Sequence, residues 1–207
     1  FGDGRRPWPY PVKKRLKRAS TLTTTITDES GAPNQLRLAY LGAKVFKHWP
    51  FPKPEYVARE FFAVTAPFVA VATDPEGVGV IGAGGTGLFG IRIQEDADFE
   101  IRMLSIVHDI AIPAGSDSVA TIVITDETYG YRFMDRPVPV ENLGAARIIG
   151  SPPDTTPAGF YPYMLPVPKL LRKGSVLSVT VLNLDGANPL AMRVSFYGSK
   201  CYTEPPA

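Results

Sequence analysis

The sequence is poor in the side chains from which most enzyme and metal sites are built. Its 207 residues include one cysteine and two histidines. Cys201 has no second cysteine with which to form a disulfide or hold zinc, and His48 lies far from His108. No H-E-x-x-H, G-x-S-x-G or P-loop pattern is present. The composition therefore predicts a protein that is not an enzyme and that has no cofactor and no bound metal.

Long apolar runs are also missing. No uninterrupted apolar segment approaches the roughly 18 residues that a membrane helix needs. The first residues are charged and rich in proline, unlike the apolar stretch of a secretory signal. We therefore expect no membrane contact. A chain that cannot form an internal disulfide also fits a protein that is made and assembled in a reducing compartment.

Glycine and proline are abundant, by contrast, and they favour strands over helices. The 21 prolines and 19 glycines interrupt helices throughout the chain. Short segments of alternating apolar and polar residues lie between turn-forming residues, which predicts strands. The alternation directs the following side chains to the core: Phe99, Ile101, Met103, Leu177, Val179, Val181, Met192, Val194 and Phe196.

This pattern predicts an all-β protein, an antiparallel β-sandwich or jelly roll with an extended basic N-terminal arm. Residues 1–34 are expected to form the arm and the first strand region. Residues 35–207 are expected to form the sandwich, and its best-defined part spans about 95–203.

Three segments are harder to assign. Residues 20–43 are rich in β-branched side chains around a turn, which indicates strand, turn, strand. Residues 56–64 suit a helix or a strand equally well. Residues 150–168 contain repeated prolines and are expected to form a long connection.

The charge is concentrated at the N-terminus. Residues 1–20 carry a net charge of +6, whereas the whole chain carries +2. Prolines at 7, 9 and 11 favour an extended conformation. Such an arm is expected to dock on a partner, with aromatic anchors among its cations, and phosphate groups of nucleic acid are an alternative partner. Its docking residues are Arg5, Arg6, Trp8, Tyr10, Lys13, Lys14, Arg15, Lys17 and Arg18.

The stretch "GVGVIGAGGTGLFG" at 77–90 matches the G-x-G-x-x-G spacing of dinucleotide-binding loops at Gly82, Gly84 and Gly87. That motif needs a helix after its last glycine, because the N–H groups of the helix hold the pyrophosphate. Residues 91–94 alternate as in a strand. We therefore predict a flexible loop between strands and a contact loop at Gly82, Gly84, Gly85 and Gly87, where glycine permits close approach of another backbone.

Acidic residues cluster at 95–100. Asp96, Asp98 and Glu100 share one face of the predicted strand, and three carboxylates in that array could hold Ca²⁺. The glycine and the distal glutamate of an EF-hand loop are missing. A solvated strand face, with all three carboxylates directed to water, is the favoured interpretation.

Residues 134–203 resemble the β-sandwich accessory structural proteins of tailed-bacteriophage virions, of the neck or collar, capsid-decoration or fibre-base type. The shared features are a proline-rich lead-in, a Gly-Ser turn, a strand ending in Asn-Leu, and a last strand ending in aromatic-x-Gly-x-Lys. They correspond here to Pro162, Pro166, Gly174, Ser175, Asn183, Leu184, Phe196, Gly198 and Lys200.

The resemblance implies a non-enzymatic virion component that acts as repeated copies and contacts capsid, portal or tail proteins. It would be located in the virion after assembly in the host cytoplasm. A carbohydrate- or receptor-binding sandwich is the alternative, with Phe160, Tyr161 and Tyr163 as rings that stack on a sugar. A nucleotide-binding enzyme that uses the glycine stretch is the least favoured of the three.

Overall fold

The computed structural model describes residues 16–17, 19–27, 29, 31, 40, 55–66, 79–109, 113, 116, 118–147 and 162–204. Within them the regular structure is almost entirely β, with one short 3-10 helix at Val140–Leu143. None of the described helices is long and apolar enough to cross a membrane. The strands are β1 (Ala58–Thr65), β2 (Gly79–Ile81), β3 (Thr86–Arg92), β4 (Asp98–His108), β5 (Ala120–Asp126), β6 (Tyr131–Arg132), β7 (Val138–Pro139), β8 (Ala146–Arg147), β9 (Tyr163–Leu171), β10 (Val176–Asn183) and β11 (Leu190–Tyr202).

The strands form two sheets. In the first sheet β11 and β4 are central, with β1 and β2 beside β11 and with β9 and β8 beside β4. In the second sheet the order is β3-β10-β5-β6, and β7 also pairs with β5. All pairs are antiparallel except the two-residue contact between β4 and β8.

The strand order is that of a jelly roll. β1 and β2 occupy one position along β11, and β6 and β7 occupy one position along β5. Counted in this way, and without the two-residue β8, eight positions remain, and they pair first with last, second with seventh, third with sixth and fourth with fifth. A long antiparallel ribbon wrapped into two facing sheets has this pairing, which confirms the predicted fold class.

The core lies between the two sheets and is formed by alternate side chains of the long strands. Phe99, Ile101, Leu177, Val179, Val181, Met192, Val194 and Phe196 are all fully buried, as the alternation predicted. Phe62 of β1 packs edge-on against Phe99, with ring centroids 5.3 Å apart. Residues 56–64, which suited a helix or a strand, therefore form most of β1 because alternate side chains face this core.

The prediction for Met103 is wrong because of a β-bulge. Arg102 has no partner in the register of β4 with β11 or with β9, so the register shifts at this residue. An extra residue reverses the alternation beyond it. Leu104 and Ile106 are consequently buried in the core, while Met103 is half-buried on the outer face.

Two other predicted segments differ from the structure. The proline-rich residues 163–168 belong to β9 instead of a connection, and β9 tolerates proline because it is an edge strand. The described residues 20–27 form no strand, and each of them is exposed. Residues 20–27 therefore pair with no strand in the described parts of the chain.

Candidate functional site

A shallow groove lies at the end of the sandwich where β3 leads into β4, β5 into β6, and β9 into β10. It consists of two adjoining hollows of about 290 and 410 Å³ that share Tyr129, Arg172 and Lys173. Asp96 and Asp98 line one hollow, and Arg92 and Glu95 line the other. We call this region the charged end.

Asp98 is the hub of the charged end. The residue is 6% exposed, and its carboxylate accepts hydrogen bonds from the Tyr56 hydroxyl at 2.9 Å, the Arg172 guanidinium at 2.8 Å and the Lys173 backbone N–H at 2.8 Å. These donors precede β1 and follow β9, so one side chain ties three segments together. The hydrogen bond to Asp98 and, above all, burial raise the pKa of the Tyr56 hydroxyl far above its ordinary value.

The other carboxylates of the acidic cluster are paired with cations. Lys200 donates to Asp96 at 2.6 Å, and this hydrogen bond lowers the pKa of Asp96. Arg59 and Arg102 donate to Glu100 at 3.0 and 2.8 Å. Burial alone would raise the pKa of Glu100, but the two arginine hydrogen bonds outweigh it and lower the pKa.

The prediction that all three carboxylates point to water is therefore wrong for Asp98. It opens β4 beneath the β9–β10 turn, and the ends of three strands bury it. Among the described residues, no group of three histidine, cysteine, aspartate or glutamate side chains is arranged to hold a metal ion. At this end arginine and lysine neutralise the carboxylates.

Tyr129 gives the groove an exposed aromatic surface. The side chain lies in the β5–β6 turn, is 41% exposed and borders both hollows. The turn is fixed because the Thr128 N–H donates to Asp126 at 3.1 Å and Gly130 adopts a positive φ of 66°. The exposed Lys173 and the exposed Glu95 add a hydrogen-bond donor and an acceptor beside the ring.

The predicted contact loop lies at the opposite end, which we call the glycine end. Residues 82–85 connect β2 to β3, and Gly84 has a φ of 61°. The Gly85 N–H donates to Gly82 at 2.9 Å, and the Gly84 N–H donates to the backbone of Asp185 at 2.7 Å. A Cβ at Gly87 would lie 2.5 Å from the Phe89 ring. The loop therefore needs glycine for its own packing.

Asn183 is the hub of the glycine end. The side chain is buried and donates to the carbonyls of Gly82 at 3.1 Å and Asn188 at 2.9 Å. Its oxygen accepts the Asp185 N–H at 2.9 Å. Asp185 in turn accepts from the Asn188 side chain and from two backbone N–H groups, and these hydrogen bonds lower its pKa. One neutral amide therefore joins the β2–β3 and β10–β11 connections.

This geometry argues against a dinucleotide cradle. β3 begins at Thr86, within the motif, where a phosphate-binding loop would lead into a helix. The N–H groups of Gly84 and Gly85 are already bonded within the chain. The fingerprint spacing is thus explained by a tight connection between two strands.

Most of the predicted arm lies outside the described residues. This applies to Arg5, Arg6, Trp8, Tyr10, Lys13, Lys14, Arg15 and Arg18. Lys17 is described and exposed, and its backbone carbonyl accepts hydrogen bonds from Ser20. The docking role of the arm stays a prediction.

The predicted sugar-stacking cluster is wrong at Tyr163. Its ring is 7% exposed and belongs to the core, because β9 turns this position towards the opposite sheet. Phe160 and Tyr161 lie outside the described residues. Sequence reasoning missed Tyr129, Arg172 and Lys173, which lie in separate turns and approach one another only in the folded chain.

The positions that carry the phage resemblance have structural functions here. Gly174 has a φ of 75° in the β9–β10 turn, and a Cβ at Gly198 would meet the Glu100 carbonyl at 1.9 Å. Lys200 stacks over Phe62, with its nitrogen 4.7 Å from the ring centroid. Turn geometry, close packing and a cation–π contact explain these residues without a ligand.

Comparisons of the chain with protein-family models, curated proteins and solved structures gave no match. The fold and site therefore define the class of protein: an all-β jelly-roll sandwich with a charged, tyrosine-bearing groove at one end.

Proposed function

We propose that this chain is a non-enzymatic structural component of a tailed-bacteriophage virion. It assembles as multiple copies, in a neck or collar ring or as a capsid decoration, through its sandwich and its N-terminal arm. Its partners are copies of itself and capsid, portal or tail proteins, and its location is the virion, assembled in the host cytoplasm. Nucleic acid is a further partner of the basic arm.

One observation carries the proposal. Residues 16–17 and 19–27, which are described ahead of β1, are exposed and form no strand, while the strands of the sandwich behind them follow the jelly-roll order. These exposed residues continue a segment whose net charge is +6 over residues 1–20. Jelly rolls are common in capsid proteins and lectins, and an exposed arm on a rigid body suits repeated contacts in a symmetric particle.

The test is the mass and symmetry of the purified full chain. Sedimentation velocity over a range of concentrations, followed by negative-stain electron microscopy, should show an assembly larger than one chain. A closed ring of fixed copy number supports the neck or collar role, and a surface lattice supports decoration. A chain that stays monomeric alone and with phage capsids would overturn the proposal.

Deletion of residues 1–20 tests the arm. The truncated chain should fold, because these residues precede the whole sandwich, and its incorporation into particles should fall at least tenfold. A matched control replaces the arm cations Lys13, Lys14, Arg15, Lys17 and Arg18 by glutamine and keeps the prolines and aromatics. Loss in both variants assigns the contact to charge, and loss in the deletion alone assigns it to Trp8 and Tyr10. Undiminished incorporation of the deletion variant contradicts the arm's role.

A second proposal is that the groove of the charged end binds a saccharide. The exposed Tyr129 ring supports it, because sugar rings stack on exposed aromatics while charged side chains bond the hydroxyls. A glycan array with the native chain and Tyr129→Ala tests it. Binding that is lost in Tyr129→Ala but kept in Tyr131→Ala supports the groove, since Tyr131 is similarly exposed but does not line either hollow. Absence of binding, or equal loss in both variants, refutes it.

A further inference from the structure

The backbone groups on the outer edge of β3 pair with no other described strand. Within the described residues, β3 pairs with β10 alone. Ile93, the residue after β3, faces the turn before β10. Its N–H donates to the Ser175 carbonyl at 2.8 Å, and its carbonyl accepts from the Gly174 N–H at 3.1 Å. Because this direction alternates along a strand, the N–H and carbonyl groups of Leu88 and Gly90 point away from β10. Leu88 is 65% exposed and Gly90 is also exposed, so this edge is accessible.

Up to its last residue, Arg92, β3 lacks the features that protect the other described edges. β9 contains Pro166 and Pro168, β1 contains Arg59 and Glu60, and β2, β6, β7 and β8 have only two or three residues each. Proline, charge and short length all discourage pairing of an edge with another chain. From Thr86 to Ile91 the edge has none of these features. In the part of the chain that the structure describes, β3 is thus an open acceptor for an additional strand.

The same chain contains a segment that has the character of a strand and pairs with none of the described strands. Residues 21–27 read TLTTTIT, without charge, proline or glycine, and β-branched residues of this kind favour strands. All seven are exposed, including Leu22 at 46% and Ile26 at 55%. The side-chain contact described for this segment joins the hydroxyls of Thr24 and Tyr40.

The segment matches the edge in length and in pattern. It has the seven residues of β3, and alternate positions separate a mainly apolar face, formed by Leu22, Thr24 and Ile26, from a face of four threonines. As a strand beside β3, it would direct the apolar face to the rim of the core, next to Phe89 and Ile91. The threonine face would extend the outer surface of the second sheet, which already carries Thr86, Thr121, Thr125 and Thr180.

We propose that residues 21–27 of one copy add as a strand to the β3 edge of a second copy. The proposal rests on the self-association in the proposed function and specifies its interface. Donor and acceptor are different surfaces of the same chain, so the contact is head-to-tail and propagates into a ring or an open array. Main-chain hydrogen bonds provide the affinity and the alternating side chains set the register.

Cross-linking between two single-cysteine variants tests the contact. Thr25→Cys and Leu88→Cys are purified separately, mixed and treated with a short bis-maleimide. We expect a covalent heterodimer, because both side chains lie on the outer face of the extended sheet. Thr25→Cys mixed with Met164→Cys is the matched control, since Met164 is 70% exposed on the β9 edge. The native chain is the blank, because Cys201 is buried.

A second pair of variants tests the backbone contact. Gly90→Pro removes an N–H that points away from β10, so the pairing inside the sheet is preserved. Gly90→Ala retains that N–H, and a Cβ there meets nothing within 4 Å. Self-association measured by sedimentation should weaken at least tenfold in Gly90→Pro and remain native in Gly90→Ala. Circular dichroism establishes that both variants are folded.

Each outcome decides the matter. A cross-link to position 88 but not to position 164, with weakened association of Gly90→Pro alone, supports strand addition. Equal cross-linking at both positions overturns it. So does a link formed only within a chain that carries both Thr25→Cys and Leu88→Cys. A chain that self-associates without the cross-link overturns this interface and leaves the proposed function standing, whereas a chain that stays monomeric alone and on phage capsids overturns both.

Discussion

Different interactions stabilise the two ends of the sandwich. At the charged end a buried carboxylate, Asp98, collects three donors, one of them a guanidinium. At the glycine end a buried neutral amide, Asn183, does the corresponding work with backbone carbonyls and an N–H. Both hubs join segments that are distant in sequence, but only the hub of the charged end is itself ionisable.

The two ends also differ in the polar and aromatic groups that they expose to solvent. At the glycine end the loop N–H groups of Gly84 and Gly85 are bonded within the chain. At the charged end the Tyr129 ring and the Lys173 side chain remain exposed beside a groove. The charged end therefore presents an exposed aromatic ring and an exposed cation, although the sequence draws attention to the glycines.

Of the changes considered, replacing Asp98 should lower the free energy of unfolding the most. Asp98→Ala removes a buried acceptor from the guanidinium of Arg172, whose side chain is 25% exposed, and from the Lys173 N–H. The free energy of unfolding, measured by urea denaturation, should fall by about 3 kcal/mol, the lower end for a broken buried ion pair because Arg172 reaches solvent. Asp98→Asn keeps one acceptor oxygen and should lose less. Equal losses in the two variants would contradict the role of the charge.

Replacing Asn183 should lower the free energy of unfolding by less than replacing Asp98, because Asn183 and its partners carry no charge. Asn183→Ala deprives the carbonyls of Gly82 and Asn188 of a buried donor, and unfolding should become easier by about 2 kcal/mol. Gly186→Ala is the control in the same connection, since Gly186 is exposed and a Cβ there meets nothing within 4 Å, and it should change stability by about 0.5 kcal/mol or less. A control that is as damaging as Asn183→Ala would show that the connection, and not the hub, matters.

Two glycines of β3 should respond differently to alanine. A Cβ at Gly87 would collide with Phe89 and Ile81, so Gly87→Ala should destabilise by about 1–2 kcal/mol. Gly90→Ala has open space and should be neutral or slightly stabilising. Thermal unfolding of both variants tests this, and equal melting temperatures would mean that the packing against Gly87 relaxes at no cost.

Of the changes considered, acid should lower the free energy of unfolding the least, through the charged end. The pKa of Glu100 lies below its ordinary value of 4.5, so its contribution is fully present above that value and is lost as the pH falls through the folded pKa. Arg59 and Arg102 are largely exposed, so we expect less than about 1 kcal/mol. Glu100→Gln should reduce the stability difference between neutral pH and about pH 3, and Asn183→Ala should leave it unchanged. An unchanged difference in Glu100→Gln would contradict this assignment.

The sequence by itself determined the fold class and much of the core. Alternation in β10 and β11 identified six fully buried side chains, because a strand with one buried face must repeat its apolar residues with a period of two. It also argued against a dinucleotide loop, since strand periodicity continues after the glycines. These features depend on residues within single strands, so they can be predicted from the sequence.

Only the tertiary structure decided the rest. The bulge at Arg102 depends on register with two neighbouring strands, so periodicity within β4 predicted the wrong side for Met103. Asp98 became a buried hub because three strand ends meet over it, and the groove around Tyr129 brings together turns that are far apart in sequence. Which strand edges remain open is likewise set by the pairing of the whole chain, because an edge is defined by the neighbour that it lacks.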